Sequence, residues 1–293
     1  MIEQTLTFGE SDHLVATLTL PAQGGFRQGG PMAVLTNSGV ISRAGPHRMN
    51  VYLARGLAAR GIPSVRFDMS GLGDSRRSNS ALPQMQQWVL DTRTVIDLAQ
   101  RRTGRNLFFM VGFCSGAEVA YKAALDDERM RAVLLWDLYA YPTLQSSLRT
   151  FVFKLQRAGV TGSLRKLAGR LKMLLPGDPK GAGSDAGVRQ LQDLEPQRVP
   201  PKDSFAGEIQ RLTERGVEVL FMYCGGEPDW YNYRSQFRDA FADHGFVDKV
   251  LCERIEISDH LLTRPVAQQA FLLEFDRWLD SRVLPALGAG RAA

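Results

Sequence analysis

Cys114 is the residue best placed to do covalent chemistry in this sequence. It stands in Gly112-Phe113-Cys114-Ser115-Gly116, directly after the apolar run 107–113 and directly before a helical pattern. A strand that reverses into a helix over so few residues strains the backbone of its central residue. The positions two before and two after must then be small, and both are glycine here. Centring the turn on Ser115 would put bulky Phe113 at the first small position, so the register selects the thiol. The turn also sets that thiol at a helix N-terminus, whose partial positive charge favours a thiolate. A thiolate held this way would attack a carbonyl carbon. The plainer alternative is a buried packing cysteine. Cys224 ends an apolar run and Cys252 lies within one, so both are expected in the core. No His or Cys spacing suggests a metal, and no cofactor is expected.

The elements that must position Cys114 alternate. Two alternating strands, 2–8 and 13–20, lead in, and a Gly-rich turn follows at 23–31. Short apolar runs at 32–36, 62–67, 107–113, 132–136, 217–223 and 250–257 have the length of buried strands. Helical spacing covers 46–60, 82–102, 116–125, 204–215, 231–244 and 267–279. Such alternation predicts a mostly parallel sheet with helices on both faces. Ligands of such sheets sit at the carboxyl ends of the strands, which is where Cys114 falls.

The strand, the G-x-C-x-G turn and the helix together resemble the nucleophile elbow of the α/β-hydrolase superfamily, with cysteine where serine usually stands. The resemblance spans nearly the whole chain. It implies that fold, with an eight-stranded sheet and a helical lid inserted after the sixth strand. It also implies a base just past the last strand, where His260 lies, and an acid after the strand 217–223. Asp229 fits that position, with Glu227 as the alternative. Asp259, next to His260 in sequence, is sterically awkward as its orienter. The oxyanion hole would use the backbone N–H groups of Val40 and Ser115. Asn37, Ser38 and His47 are candidate substrate contacts, although His47 also reads as a surface residue at a helix start. Of the remaining histidines, His13 is expected at the surface and His244 at a helix end. The run Asp68–Ser75 follows a strand as a dinucleotide fingerprint would, but Arg76 replaces the third glycine, so a structural turn is expected.

Charge is unevenly spread. The chain has 36 basic and 31 acidic residues, a net charge of +5. Seven of the basic residues lie in 138–177, where no acidic residue occurs, leaving 29 basic against 31 acidic elsewhere. This argues against nucleic-acid binding by the main body. The expected division is a core of 1–137 and 204–285, a lid of 138–203 and a frayed tail of 286–293. Within the lid, Leu144, Leu148, Phe151, Val152 and Leu155 share one helical face, and Leu164, Leu167, Leu171 and Leu174 share another. The apolar faces would roof an acyl pocket. The basic faces would meet an acyl carrier protein, the phosphates of coenzyme A or a membrane surface. No run is long enough for a transmembrane helix. Three cysteines and no basic-then-apolar leader fit a cytoplasmic protein.

A narrower likeness rests on Asn37-Ser38-Gly39, on Arg43 to Val51, on Arg66 to Ser75 and on the elbow, with Tyr231-Asn-Tyr233 and Asp259-His260. These resemble the exosortase-A-associated hydrolases and related cysteine hydrolases of bacterial biosynthetic clusters. That likeness implies ester or thioester substrates and a thioesterase, esterase or acyltransferase working through Cys114, Asp229 and His260. The elbow also resembles dienelactone hydrolases, which are shorter and lack the lid. A non-catalytic binding module on the same scaffold is the alternative from another class.

Overall fold

In a computed structural model the chain is described over residues 1–22, 25, 29–156 and 199–288. The second lid helix, Arg157, Arg165 and the lid's return segment lie outside the described residues. Eight strands form one sheet: β1 (Ile2–Phe8), β2 (Leu14–Leu20), β3 (Met32–Leu35), β4 (Ser64–Asp68), β5 (Phe108–Phe113), β6 (Met130–Trp136), β7 (Glu218–Cys224) and β8 (Leu251–Ile255). Their order is β1-β2-β4-β3-β5-β6-β7-β8. Only β2 runs against its neighbours; β3 to β8 are parallel.

The central strands are apolar at nearly every position because both faces are covered. Alternate residues nevertheless go to different cores. Phe108 and Met110 of β5 join the layer containing Trp88, Tyr121 and Phe205, while Phe109, Val111 and Phe113 join the layer containing Leu53, Phe271 and Trp278. The first layer is covered by α2 (Gln84–Thr103), α3 (Ser115–Asp126) and α5 (Lys202–Glu214), the second by α1 (Met49–Ala59) and α7 (Pro265–Trp278). Residues 144–156, here α4, are helical after β6, where the lid was expected to begin.

Two expectations change. The helix expected over 231–244 is only α6 (Gln236–Ala240). Side chains take over the backbone groups that a longer helix would use. Tyr231 stacks on Tyr223 at 3.9 Å, and its hydroxyl accepts the Phe237 N–H. Gln236 accepts the Asn232 N–H and donates to the Tyr141 carbonyl. Such local bonds compete with helix formation. Residues 286–288, expected within a frayed tail, are helical instead, because α7 runs through a π turn (Leu279–Val283) into α8 (Leu284–Gly288). Leu284 and Leu287 are buried there against the second core layer.

Candidate active site

Cys114 sits between β5 and α3 with φ 55° and ψ −122°, outside the regions a side chain prefers. A backbone of this kind costs roughly 1–3 kcal/mol and persists only where its surroundings enforce it. Here the two glycines enforce it through close approach. A Cβ on Gly112 would lie 2.2 Å from the Gly116 carbonyl oxygen. A Cβ on Gly116 would lie 2.2 Å from the carbonyl oxygen of Asn37. The Cys114 N–H donates to the Trp136 carbonyl at 3.0 Å, tying the turn to the end of β6.

His260 follows β8. Its loop is held by the Trp136 indole, whose N–H donates to the His260 carbonyl at 2.9 Å. Leu262, fully buried at φ 57°, completes the turn. The His260 Nδ1 lies 2.8 Å from Asp137 Oδ2. Asp137 is the residue directly after β6, and its side chain is only 4% exposed. It too is left-handed, at φ 50°, fixed by its own N–H donating to the Met222 carbonyl at 2.8 Å. Its second oxygen accepts the Cys224 N–H at 2.8 Å. With Nδ1 committed to Asp137, the ring's Nε2 is left for Cys114. The hydrogen bond to Asp137, reinforced by the thiols of Cys114 and Cys224, pushes the His260 pKa up to about 12.

The carboxylate that meets the imidazole is thus Asp137 and not the expected Asp229. Asp229 is half exposed and pairs with Lys154 of α4 at 3.3 Å. The side chain of Glu227 is also exposed, and its backbone carbonyl accepts the Trp230 and Tyr231 N–H groups. Both lie in the loop beyond β7, whereas the imidazole is met one strand earlier. The sequence signal for Asp137 was an acid directly after the apolar run 132–136, the same place after a strand at which the other functional residues were sought. Asp259 accepts the Thr263 N–H at 2.9 Å and shapes the His260 loop.

The expected oxyanion loop is a tight turn. Ile41 N–H donates to the Ser38 carbonyl at 2.9 Å, with Gly39 at φ 52° between them. Gly39 N–H donates to Ser115 Oγ at 2.9 Å, so the Ser115 side chain, and not only its backbone, joins the loop to the elbow. That leaves Val40 as the next amide along, with its side chain exposed.

Asn37 and Ser38 are buried, and Asn37 is fully engaged. Its amide donates to the Ile41 carbonyl and to Asp68, and its oxygen accepts the Met69 N–H. This corrects its reading as a substrate contact: Asn37 fixes the loop. Asp68, fully buried, also accepts the Arg43 N–H at 2.6 Å and its guanidinium at 2.5 Å. The Gly73 that follows has no room for a side chain, since a Cβ would lie 2.4 Å from the Asp68 carboxylate. The segment 68–75 is thus the structural turn expected. His47 is exposed on a 3₁₀ turn.

The family model "Serine aminopeptidase, S33" matches residues 33–185, just over half of the chain. No curated protein matches. Among solved structures the fold is similar to an esterase of Pyrococcus furiosus (12% identity, 96% of this chain and 91% of that chain covered, TM-score 0.57). It is similar to Est1E of Butyrivibrio proteoclasticus (14%, 93% and 99%, TM-score 0.52). It is also similar to mouse alpha/beta hydrolase domain-containing protein 10 (16%, 94% and 98%, TM-score 0.52). These likenesses establish the α/β-hydrolase fold.

Proposed function

We propose, for a chain that belongs to the serine aminopeptidase S33 family of hydrolases, that it is an acyl-transfer enzyme in which Cys114 replaces the serine of the family's name. The observation that carries this reading is the convergence of three strand ends. Cys114 follows β5, Asp137 follows β6 and His260 follows β8, with Asp137 2.8 Å from the imidazole.

In this mechanism His260 enters as the imidazolium that Asp137 stabilises, having already taken the Cys114 proton on Nε2. The sulfur attacks an ester or thioester carbonyl. The carbonyl electron pair moves to oxygen, which accepts the N–H groups of Val40 and Ser115. The C–O or C–S bond then breaks, His260 returns the proton to the leaving group, and an acyl-Cys114 thioester remains. Water, an alcohol or an amine gives its proton to His260 and attacks that thioester, which frees the product and restores the thiol. A thioester intermediate donates readily to amines, so the cysteine favours acyl transfer over plain hydrolysis.

Two clefts suit the two ends of such a substrate. One of about 500 Å³ lies beside Val40, lined by Ser70, Leu72, Leu82 and Trp88. The other, about 510 Å³, runs between α4 and the loop beyond β7, lined by Phe151, Lys154, Asp229 and Trp230. In this reading Asp229 belongs to the substrate groove and segment 138–203 is the lid. Its basic residues would receive an acyl carrier protein or a coenzyme A thioester. Reversing Arg157 and Arg165 should then slow a carrier-bound substrate and spare a small ester.

The test is intact-mass trapping of the acyl-enzyme from aryl esters and acyl thioesters. The acyl mass increment should form on the native protein and be absent from Cys114→Ala. An increment that persists in Cys114→Ala, or none from any ester or thioester, would overturn the proposal. Comparing free acid with amide product when an amine is present separates hydrolysis from transfer.

A further inference from the structure

Cys224 is a buried thiol that the proposed mechanism does not use. It ends β7, beside Asp137 at the end of β6, and is 1% exposed. Its backbone N–H already serves Asp137. Its side chain adds a third donor to the pair formed by Asp137 and His260. The carboxylate oxygen, the imidazole nitrogen and the Cys224 sulfur all lie within 4.8 Å of one another. A disulfide to Cys114 does not explain this placement. β5 and β7 are separated by β6, so the two residues are about 9–10 Å apart across the sheet, beyond the ~7 Å limit for bridging.

We propose that Asp137, Cys224 and His260 form an inhibitory site for a thiophilic divalent cation, Zn²⁺ or Cd²⁺. The donor set is one thiol sulfur, one imidazole nitrogen and one carboxylate oxygen, the combination that borderline and soft cations select over Mg²⁺ or Ca²⁺. Tetrahedral binding at ~2.0–2.3 Å would set the donors roughly 3–4 Å apart. The 2.8 Å between His260 and Asp137 must therefore open slightly, and the sulfur must close in. The cation takes the place of two protons, one from the Cys224 thiol and one from the imidazole Nδ1, and both leave to solvent. Because both protons must leave, binding strengthens as pH rises. Entry is through the His260 ring, 31% exposed, since Asp137 and Cys224 are covered. Three protein donors leave a fourth position for water, which fits a reversible site more than a permanent structural one.

Binding at this site does not depend on the proposed reaction. Only its inhibitory effect does, because the bound cation takes the nitrogen and the carboxylate that hold the base. The experiment therefore reads the metal directly. Co²⁺ is titrated into the wild type, Cys114→Ala and Cys224→Ser, and the near-ultraviolet thiolate-to-cobalt charge-transfer band is followed. Zn²⁺ is then added as competitor. The expected result is a band in the wild type and in Cys114→Ala that Zn²⁺ abolishes, and no band in Cys224→Ser. Far-ultraviolet circular dichroism checks that the serine variant is folded, and Cys224→Ala takes its place should it not be. A wild type without the band overturns the site, as does a band that survives loss of Cys224. Loss of the band in Cys114→Ala also overturns it, by making the nucleophile a ligand. Where an ester or thioester is turned over, Zn²⁺ should inhibit the wild type and a chelator should restore it.

Discussion

At the scale of single residues, the imidazole has one carboxylate partner among the described residues, and two aspartates compete for the role by position. Asp137 is buried, left-handed and 2.8 Å from His260, whereas Asp229 is half exposed and paired with Lys154. Replacing Asp137 by Asn keeps the size and removes the charge that stabilises the imidazolium. Steady-state turnover of an aryl ester should fall by about 10²–10⁴-fold in kcat. Asp229→Asn should leave kcat within about twofold, as expected for an exposed ion pair worth less than ~1 kcal/mol. Equal losses in the two variants would return Asp229 to the imidazole. Ser115 carries a second residue-scale prediction. Its hydroxyl holds the Gly39 N–H, so Ser115→Ala should loosen the oxyanion loop. That change should lower kcat several-fold with little change in KM, because the loop's amide acts on charge that develops in the transition state.

At the scale of elements, the positions of the strands and most helices were legible because buried strands are continuous apolar runs and the helices carry a 3.6-residue period. Cys114 and His260 were legible because each follows such a run. Asp137 was missed because it stands at a seam, where the strand 130–136 meets the segment read as the start of the lid. The acid was expected beyond β7, with Asp259 beyond β8 set aside. The shortened α6 was missed because Tyr231 and Gln236 make side-chain bonds that periodicity does not register. Asn37, Arg43 and Asp68 stand within the motifs of the narrower resemblance, but their physical role needs the fold, which brings the loop after β3 beside the end of β4. The elbow glycines act at this scale too. Because an added Cβ would meet backbone oxygens at 2.2 Å, neither turn can yield by rotating a side chain. Gly112→Ala and Gly116→Ala should each destabilise the fold by about 3 kcal/mol or more, read as a lowered urea midpoint. Gly56→Ala on α1, where a Cβ meets nothing within 4 Å, should be neutral or slightly stabilising.

For the whole molecule, the sheet collects strain and charge at the carboxyl ends of its strands. Cys114, Asp137 and Leu262, all at positive φ, surround the site, and the rest of the fold must hold them. Part of that hold is electrostatic and depends on pH. The His260 pKa is raised from ~6.5 in the unfolded chain to about 12 in the fold, chiefly by Asp137. The native state therefore keeps a proton that the unfolded state loses. The resulting stability is fully present below ~6.5 and is lost as pH rises through the folded value. Other groups push the same way at high pH. The Cys252 thiol is pushed up to about 12 by burial, and burial also raises the hydroxyl of Tyr223. A fall in stability in alkali is therefore not by itself a signature of His260. The signature is the difference between the wild type and Asp137→Asn below about pH 8, because Asp137 is the chief cause of the histidine shift, while Cys224 and Tyr223, which Asp137 also pushes up, titrate above that range. Urea midpoints measured from about pH 6 to about pH 8 should fall more steeply for the wild type. The two curves should converge toward alkali, since below ~6.5 the wild type holds its full advantage. Parallel curves would mean that the proton on His260 contributes nothing to the fold and that Asp137 acts there only through its bonds to the backbone.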